Sequence, residues 1–407
     1  MSRILGSQTI VSPCCAQGRP WSAITRMSKK QRCLMMESLP HDVVERILER
    51  LAVDPLLRFK AVSKQWKSTI ESPFFQRRQF TQRQQSGNPD VLMVSLCRYD
   101  VINPDIEALA TLVLGSSSSV KIPTPWEKEE NTVYLVSRDS CDGLVCLFDI
   151  RKSGFVVNPT TRWYHPLPPC QLQQLIIGLG DSFYDLGYRL SKLGFGKDKL
   201  TGTYKPVWLY NSLEIGLENA TTCEVFDFRT NAWRYVSPAA PYRIVGCPSP
   251  VCVDGSLHWF TECEETKILS FDLHTETFQV VSKAPFANVD GFHIVMCNLD
   301  NRLCVSEMKR PNQVIWSFNS GNKTWHKMCS IDLDITSHWF GRHRCAVLPL
   351  ALLDGKKKKK KKLLFYCRER SRTLMVHDQE TKSYDVAFEA DSVGYPVCYF
   401  PSLISIS

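Results

Sequence analysis

The chain has 407 residues, 43% apolar and 22% charged, enough for a small module and one large domain with its own core, which excludes a disordered protein. No stretch approaches the roughly eighteen consecutive apolar residues of a membrane helix and the N-terminus lacks a secretory core, so we expect a soluble protein of the cytoplasm, the nucleus or both, with no membrane partner. The formal charge of +9 is concentrated in one run, Lys356–Lys362, leaving +2 elsewhere; with no aromatic residues interleaved, the run reads as an exposed loop and argues against a nucleic-acid-binding surface.

Residues 1–36 contain Arg3, Arg19, Arg26, Lys29, Lys30 and Arg32 and no acidic residue. The segment has no amphipathic repeat, and Pro13 and Pro20 interrupt any helix, so we read a flexible basic extension rather than a transit peptide. From Ser38 the pattern becomes helical. Val43, Val44, Ile47, Leu48 and Leu51 fall along one face and Glu45, Arg46, Glu49 and Arg50 along the other, behind Pro40 in the first turn. Asp54-Pro55 opens a second helix with Leu56, Leu57, Phe59 and Val62, and a third runs through Trp66 and Ile70 to Ser72-Pro73. Helices this short do not bury enough surface to stand alone, so a partner or the following domain must cover part of their apolar face.

After about residue 88 the period changes to short β-branched and aromatic runs separated by Gly, Asp, Asn and Pro turns. A repeat is visible: Val156–Trp163, Phe226–Trp233, Phe271–Phe278, Phe318–Trp325 and His377–Tyr384 each end on an aromatic anchor. Thr160, Thr230, Thr275, Asn322 or Thr381 stands three residues before it, and Asp227, Asp272, Asn319 or Asp378 six before, Val157 being the exception. This is hairpin chemistry, in which the Asp or Asn bonds turn N–H groups and the aromatic opens the next strand. Anchor spacings of 45 and 47 match the blade period of a propeller, and the gaps of 70 and 59 hold insertions. We expect one closed propeller of six blades with Trp163, Trp233, Phe278, Trp325 and Tyr384 in its core, and target contacts in the insertions at 170–190 and 340–362.

The segment from Leu39-Pro40 through Ile47-Leu48, Leu51, Leu56-Leu57 and Val62 to Trp66 resembles the F-box of plant F-box proteins, departing from it at Ala52 and Asp54-Pro55. The remainder is similar to the F-box-associated β-propeller of the same family. Ser140-Cys141-Asp142-Gly143-Leu144, Asn158-Pro159-Thr160-Thr161-Arg162, Gly194-Phe195-Gly196 and Val253-Asp254-Gly255-Ser256-Leu257-His258-Trp259 fall in the family's order. The resemblance implies an α+β chain of two modules, an F-box at 37–80 and a β-propeller at 88–407. It also implies a non-catalytic adaptor of an SCF-type ubiquitin ligase, whose F-box binds a Skp-type adaptor and through it a cullin, while the β domain binds a target protein. Its candidate adaptor contacts are Leu39, Pro40, Ile47, Leu48, Leu51, Leu56, Leu57, Val62 and Trp66, with Leu39, Pro40 and Leu57 as direct contacts and Ile47 and Val62 as shared or internal.

An enzyme reading competes with this one. Gly180-Asp181-Ser182-Phe183-Tyr184-Asp185-Leu186-Gly187 has the spacing of the nucleophile block of GDSL-type hydrolases, and Asp290 and His293 supply an acid and a base for Ser182. Those enzymes are α/β proteins, whereas residues 190–400 carry hairpin chemistry, so we take Asp181-Ser182 as a turn. Gly194-Phe195-Gly196-Lys197 lacks the rest of a phosphate loop. Nine histidines without ligand spacing and seventeen cysteines with no C-x-x-C pair give no metal or cofactor site.

Overall fold

The structure is a computed structural model, and it describes residues 39–95, 109–112, 119–122, 135–179, 191–287, 290–354, 361–367, 373–389 and 394–406. The chain divides into two compact units, 1–48 and 49–407.

In the first unit the described residues form α1 (His41–Glu49), which starts as Val43 and Val44 donate their N–H groups to the Pro40 carbonyl. Val44 and Leu48 are buried, and Leu39, Val43 and Ile47 are exposed.

The second unit opens with α2 (Val53–Phe59), α3 (Lys64–Glu71) and α4 (Pro73–Ser86). Ser63 caps α3, its hydroxyl accepting from Trp66 N at 3.1 Å, and the Trp66 ring meets Phe59 edge-on at 5.6 Å. Pro73 ends one helix and begins another, taking the first-turn position where its missing N–H costs nothing. The apolar positions of α4 have no helical period. It is held instead by buried Phe75 and Phe80 and by Gln79, which donates to the Leu51 carbonyl at 3.0 Å.

Among the described residues, twenty-four strands follow in six four-stranded antiparallel sheets. The first combines β1 (Asp90–Ser95), β2 (Leu109–Leu112) and β3 (Ser119–Ile122) with the last strand of the chain, β24 (Gly394–Tyr399). The second is β4 (Leu135–Val136), β5 (Val145–Phe148), β6 (Gly154–Asn158) and β7 (Trp163–Leu167). After α5 (Gln171–Leu179), the third is β8 (Ser191–Lys197), β9 (Tyr204–Asn211), β10 (Thr221–Asp227) and β11 (Ala232–Tyr235). The fourth is β12 (Val251–Val253), β13 (Ser256–Phe260), β14 (Lys267–Asp272) and β15 (Phe278–Lys283). The fifth is β16 (Ile294–Asn298), β17 (Leu303–Lys309), β18 (Asn312–Asn319) and β19 (Thr324–Asp332). After α6 (Leu333–Phe340), the sixth is β20 (Leu348–Asp354), β21 (Lys361–Tyr366), β22 (Thr373–Asp378) and β23 (Ser383–Glu389).

Each sheet lies beside the next through its inner strands: β24 against β4, β5 against β8, β8 against β12, β12 against β16, β16 against β20 and β20 against β24. The ring is therefore closed, and the pairing of β1 with β24 joins its first and last strands within one sheet. The core lies in and between the sheets, with Trp208, Tyr210, Phe226, Phe271 and Phe365 fully buried. Lys361 and Lys362, read above as loop, already belong to β21, where Lys362 pairs with Asp378 at 3.3 Å; Lys356–Lys360 lie outside the described residues.

The hairpin repeat is one turn made five times. Asn158, Asp227, Asp272, Asn319 and Asp378 each accept through Oδ1 from the backbone N–H two residues on, and Asn158, Asp272 and Asp378 also from the N–H three residues on. Four residues past each stands Arg162, Asn231, Glu276, Lys323 or Lys382 at φ between 53° and 62°. This register corrects the sequence alignment: Asn158 is the first copy's equivalent of Asp227, so Val157 was no exception, and the position of Trp233 is filled by Tyr164 rather than Trp163.

The anchors are half-buried rather than core, because they sit on the outermost strands. Three of them reach the preceding sheet or the residue just past it: Trp233 Nε1 donates to the Pro168 carbonyl at 2.6 Å, Trp325 Nε1 to that of Lys283 at 2.8 Å, and Tyr384 Oη accepts from Asp332 N at 2.8 Å. They join neighbouring sheets at the rim.

Candidate functional site

Of the nine predicted F-box contacts, the structure leaves Leu39, Pro40, Ile47 and Val62 exposed and Leu51, Leu57 and Trp66 half-buried. Leu48 is 1% exposed and Leu56 0%, so both pack inside this chain. Ile47 at 43% and Val62 at 53% are open to a partner, which fits the shared half of the shared-or-internal reading and not the internal half. A helix of this length turns only a narrow stripe inward, and the neighbouring apolar positions are left in water. Val43 and Phe74 are also exposed apolar residues of these helices, and neither was among the nine. Val43 shares the apolar stripe of Ile47, whereas Phe74 lies in a helix without amphipathic pattern and gave no signal.

The ring has two unlike faces. Within each sheet the strands run inner to outer and antiparallel, so the tight turns and the connections between sheets fall on opposite sides. The turn face carries the five repeat turns, a sixth Asx turn of the same form at Asp198 with Gly202 at positive φ, and Asp254-Gly255 and Asp300-Asn301, whose positive φ angles suit two-residue hairpins. The chain enters β1 from α4 and leaves β24 on this face.

The loop face carries the irregular connections. There α5 is fixed by the Glu224 carboxylate, which accepts from Gln171 N at 2.9 Å and Leu172 N at 3.0 Å. Asp332 caps α6, its Oδ1 accepting from Asp334 N and Ile335 N, and buried Thr336 bonds His343 Nε2 at 2.9 Å beneath the helix. Ile177, Leu213, Leu217, Phe292, Ile335 and Trp339 are exposed on these connections, and Leu200 is the corresponding residue on the turn face among those described. Ile335 and Trp339 are four residues apart on α6 and share one helical face. Of the two insertions expected to hold target contacts, residues 170–179 and 340–347 belong to the loop face, while β20 ends at Asp354 and β21 begins at Lys361 on the turn face.

Among the described residues, the acid and base expected beside Ser182 lie together in one turn. Ser182 lies outside the described residues. Asp290 is exposed and its carboxylate accepts from Phe292 N at 3.0 Å, while its carbonyl accepts from His293 N, so the two form a turn. Burial pushes the thiols of Cys252, Cys329 and Cys398 up to about 12, which keeps them protonated. Among the described residues no three His, Cys, Asp or Glu side chains converge as metal ligands, and no helix is long and apolar enough to cross a membrane.

Comparison with known proteins agrees with this arrangement. A family model of the F-box domain matches residues 36–78, and one of the F-box associated beta propeller domain matches residues 92–406. An F-box/LRR-repeat/kelch-repeat protein of Arabidopsis thaliana is 87% identical over 384 residues, covering 94% of this chain and all of that protein. Two Arabidopsis F-box proteins are 54% and 51% identical, each over 91% of this chain and over 85% and 100% of their own lengths. The helices, the closed β ring and these matches together make the chain a plant F-box protein, a member of the family that carries an F-box associated β-propeller domain.

Proposed function

We propose that the chain is the substrate-recognition subunit of an SCF-type ubiquitin ligase, its F-box binding a Skp-type adaptor that bridges to a cullin, and its loop face binding the target. The observation that carries this reading is the exposure of Leu39, Ile47 and Val62 on helices too short to be stable by themselves. Fully burying such a side chain contributes roughly 1.5–3 kcal/mol, and with each already about half covered, covering all three contributes about 2–5 kcal/mol, a large part of the roughly 8 kcal/mol of a micromolar complex. Pro40, Leu57 and Trp66 complete the proposed contact set. The loop face suits the target because its connections differ from one another and are held on a rigid ring.

The test is co-purification of the full chain with a Skp-type adaptor. Ile47→Asp with Val62→Asp should abolish the complex and leave the ring folded, since neither side chain is buried. Undiminished recovery of the adaptor with this variant would refute the F-box assignment.

A further inference from the structure

We propose that a cleft on the turn face, between the start of α4 and the third sheet, binds a small phosphorylated molecule with an apolar body. A cavity of about 720 Å³ opens there, within the size range of small-molecule sites. Its walls come from three separate stretches of the second unit: the first turns of α4, the turn-face ends of β8 to β11, and the C-terminal segment Ile404–Ile406.

Five cationic side chains line it, Arg77, Lys197, Lys205, Arg229 and Arg234. The carboxylates do not match them. Lys197 is paired with Asp142, and Lys205 and Arg234 share the single carboxylate of Glu276 at 2.7 and 2.5 Å. Of the two acidic residues of the lining, Glu71 pairs with Lys60 at 3.4 Å, and Asp227 accepts from Arg229 N at 2.8 Å to make its turn while its charge acts on Arg234, so four carboxylates stand against the five cations. The guanidinium groups of Arg77 and Arg229 have no hydrogen-bond or ion-pair partner among the described residues.

Two unengaged planar forks in one cavity fit the oxygens of a phosphate, which arginine meets bidentately. The positive end of α4 adds to the same potential. Phe228, Ile404 and Ile406 give the cavity an apolar wall that a bare anion would leave unused. Neither the Asx turns nor the closure of the ring uses the guanidinium groups of Arg77 and Arg229, so their presence in one cavity has no structural account in this fold.

The test uses the full chain with two probes, inorganic phosphate and phenyl phosphate, titrated calorimetrically at physiological ionic strength. Phenyl phosphate should bind saturably at one site and about tenfold more tightly than phosphate, the added ring being buried against the apolar wall. Arg77→Gln with Arg229→Gln should weaken binding of both by about tenfold or more, since charge-assisted hydrogen bonds are lost. The ligand-free melting temperature should not move, both arginines being exposed and unpaired. Absence of saturable binding, or undiminished binding by the double variant, would overturn the site. Equal affinity for the two probes would overturn the apolar body.

Discussion

The two faces of the ring are built by the same strands and obey different rules. On the turn face an Asp or Asn at the end of a strand bonds the next N–H groups, and a residue at positive φ follows, five times over. On the loop face one connection is a helix started by a carboxylate from the neighbouring sheet, another a capped helix over a buried histidine, and another a single 3-10 turn at Leu213–Ile215. Where every copy has the same residue, the residue serves the blade. Where each copy differs, the chain is free to serve a partner.

The largest effect that would test this division is on the core that both faces share. Trp208→Ala, at a side chain 1% exposed, should lower stability by about 3–5 kcal/mol in urea unfolding. Trp325→Ala should cost about half of that, because its ring is half-buried and its loss is mainly the bond to the preceding sheet; equal losses would restore the anchors to the core. Next comes Asp139, a turn-face carboxylate that caps no repeat turn. Burial raises it to about 6, outweighing the N–H bond from Cys252 at 2.8 Å. With the folded value above the unfolded one near 4, the native state holds the extra proton. Its contribution is therefore full below pH 4 and lost as pH rises through 6. Asp139→Asn should flatten the stability change between pH 4 and 7 by about 1–3 kcal/mol; an unchanged slope would place the titration elsewhere.

The turn itself should respond more weakly. Asp272→Ala removes the acceptor of His274 N and Thr275 N and should cost about 1–2 kcal/mol, whereas Asp272→Asn should cost little, since Asn158 and Asn319 make the same turn. The smallest effect belongs to the loop face. Ile335→Ser with Trp339→Ser should leave stability within about 0.5 kcal/mol, both being surface residues. A large loss would mean that α6 is part of the scaffold.

Much of this was legible in the sequence because hairpin turns and helix starts are local. The Asp or Asn, the Thr and the following aromatic act within eight residues, so the repeat appears without knowing what packs against it. The first copy misled because Asn158 and Val157 are adjacent, and only strand register separates them. The anchors were misplaced because an aromatic demanded in every copy looks like core, while an outermost strand leaves its side chains half in water. Helix α4 was missed because Pro73 marks a stop as readily as a start and its apolar residues have no period. In the F-box, the apolar stripe was legible but its division into inside and outside was not, since Leu48 and Ile47 differ only in which side of the helix faces inward.

The most direct test of the account is a comparison of two variants for affinity toward a Skp-type adaptor, measured calorimetrically with the full chain. Ile47→Asp with Val62→Asp should weaken binding by about a hundredfold or more, charge replacing two exposed apolar side chains that the proposed adaptor would cover. Ile335→Ser with Trp339→Ser should bind as the parent chain does. A loss of adaptor binding by the loop-face variant, or none by the F-box variant, would contradict the separation of adaptor and target surfaces.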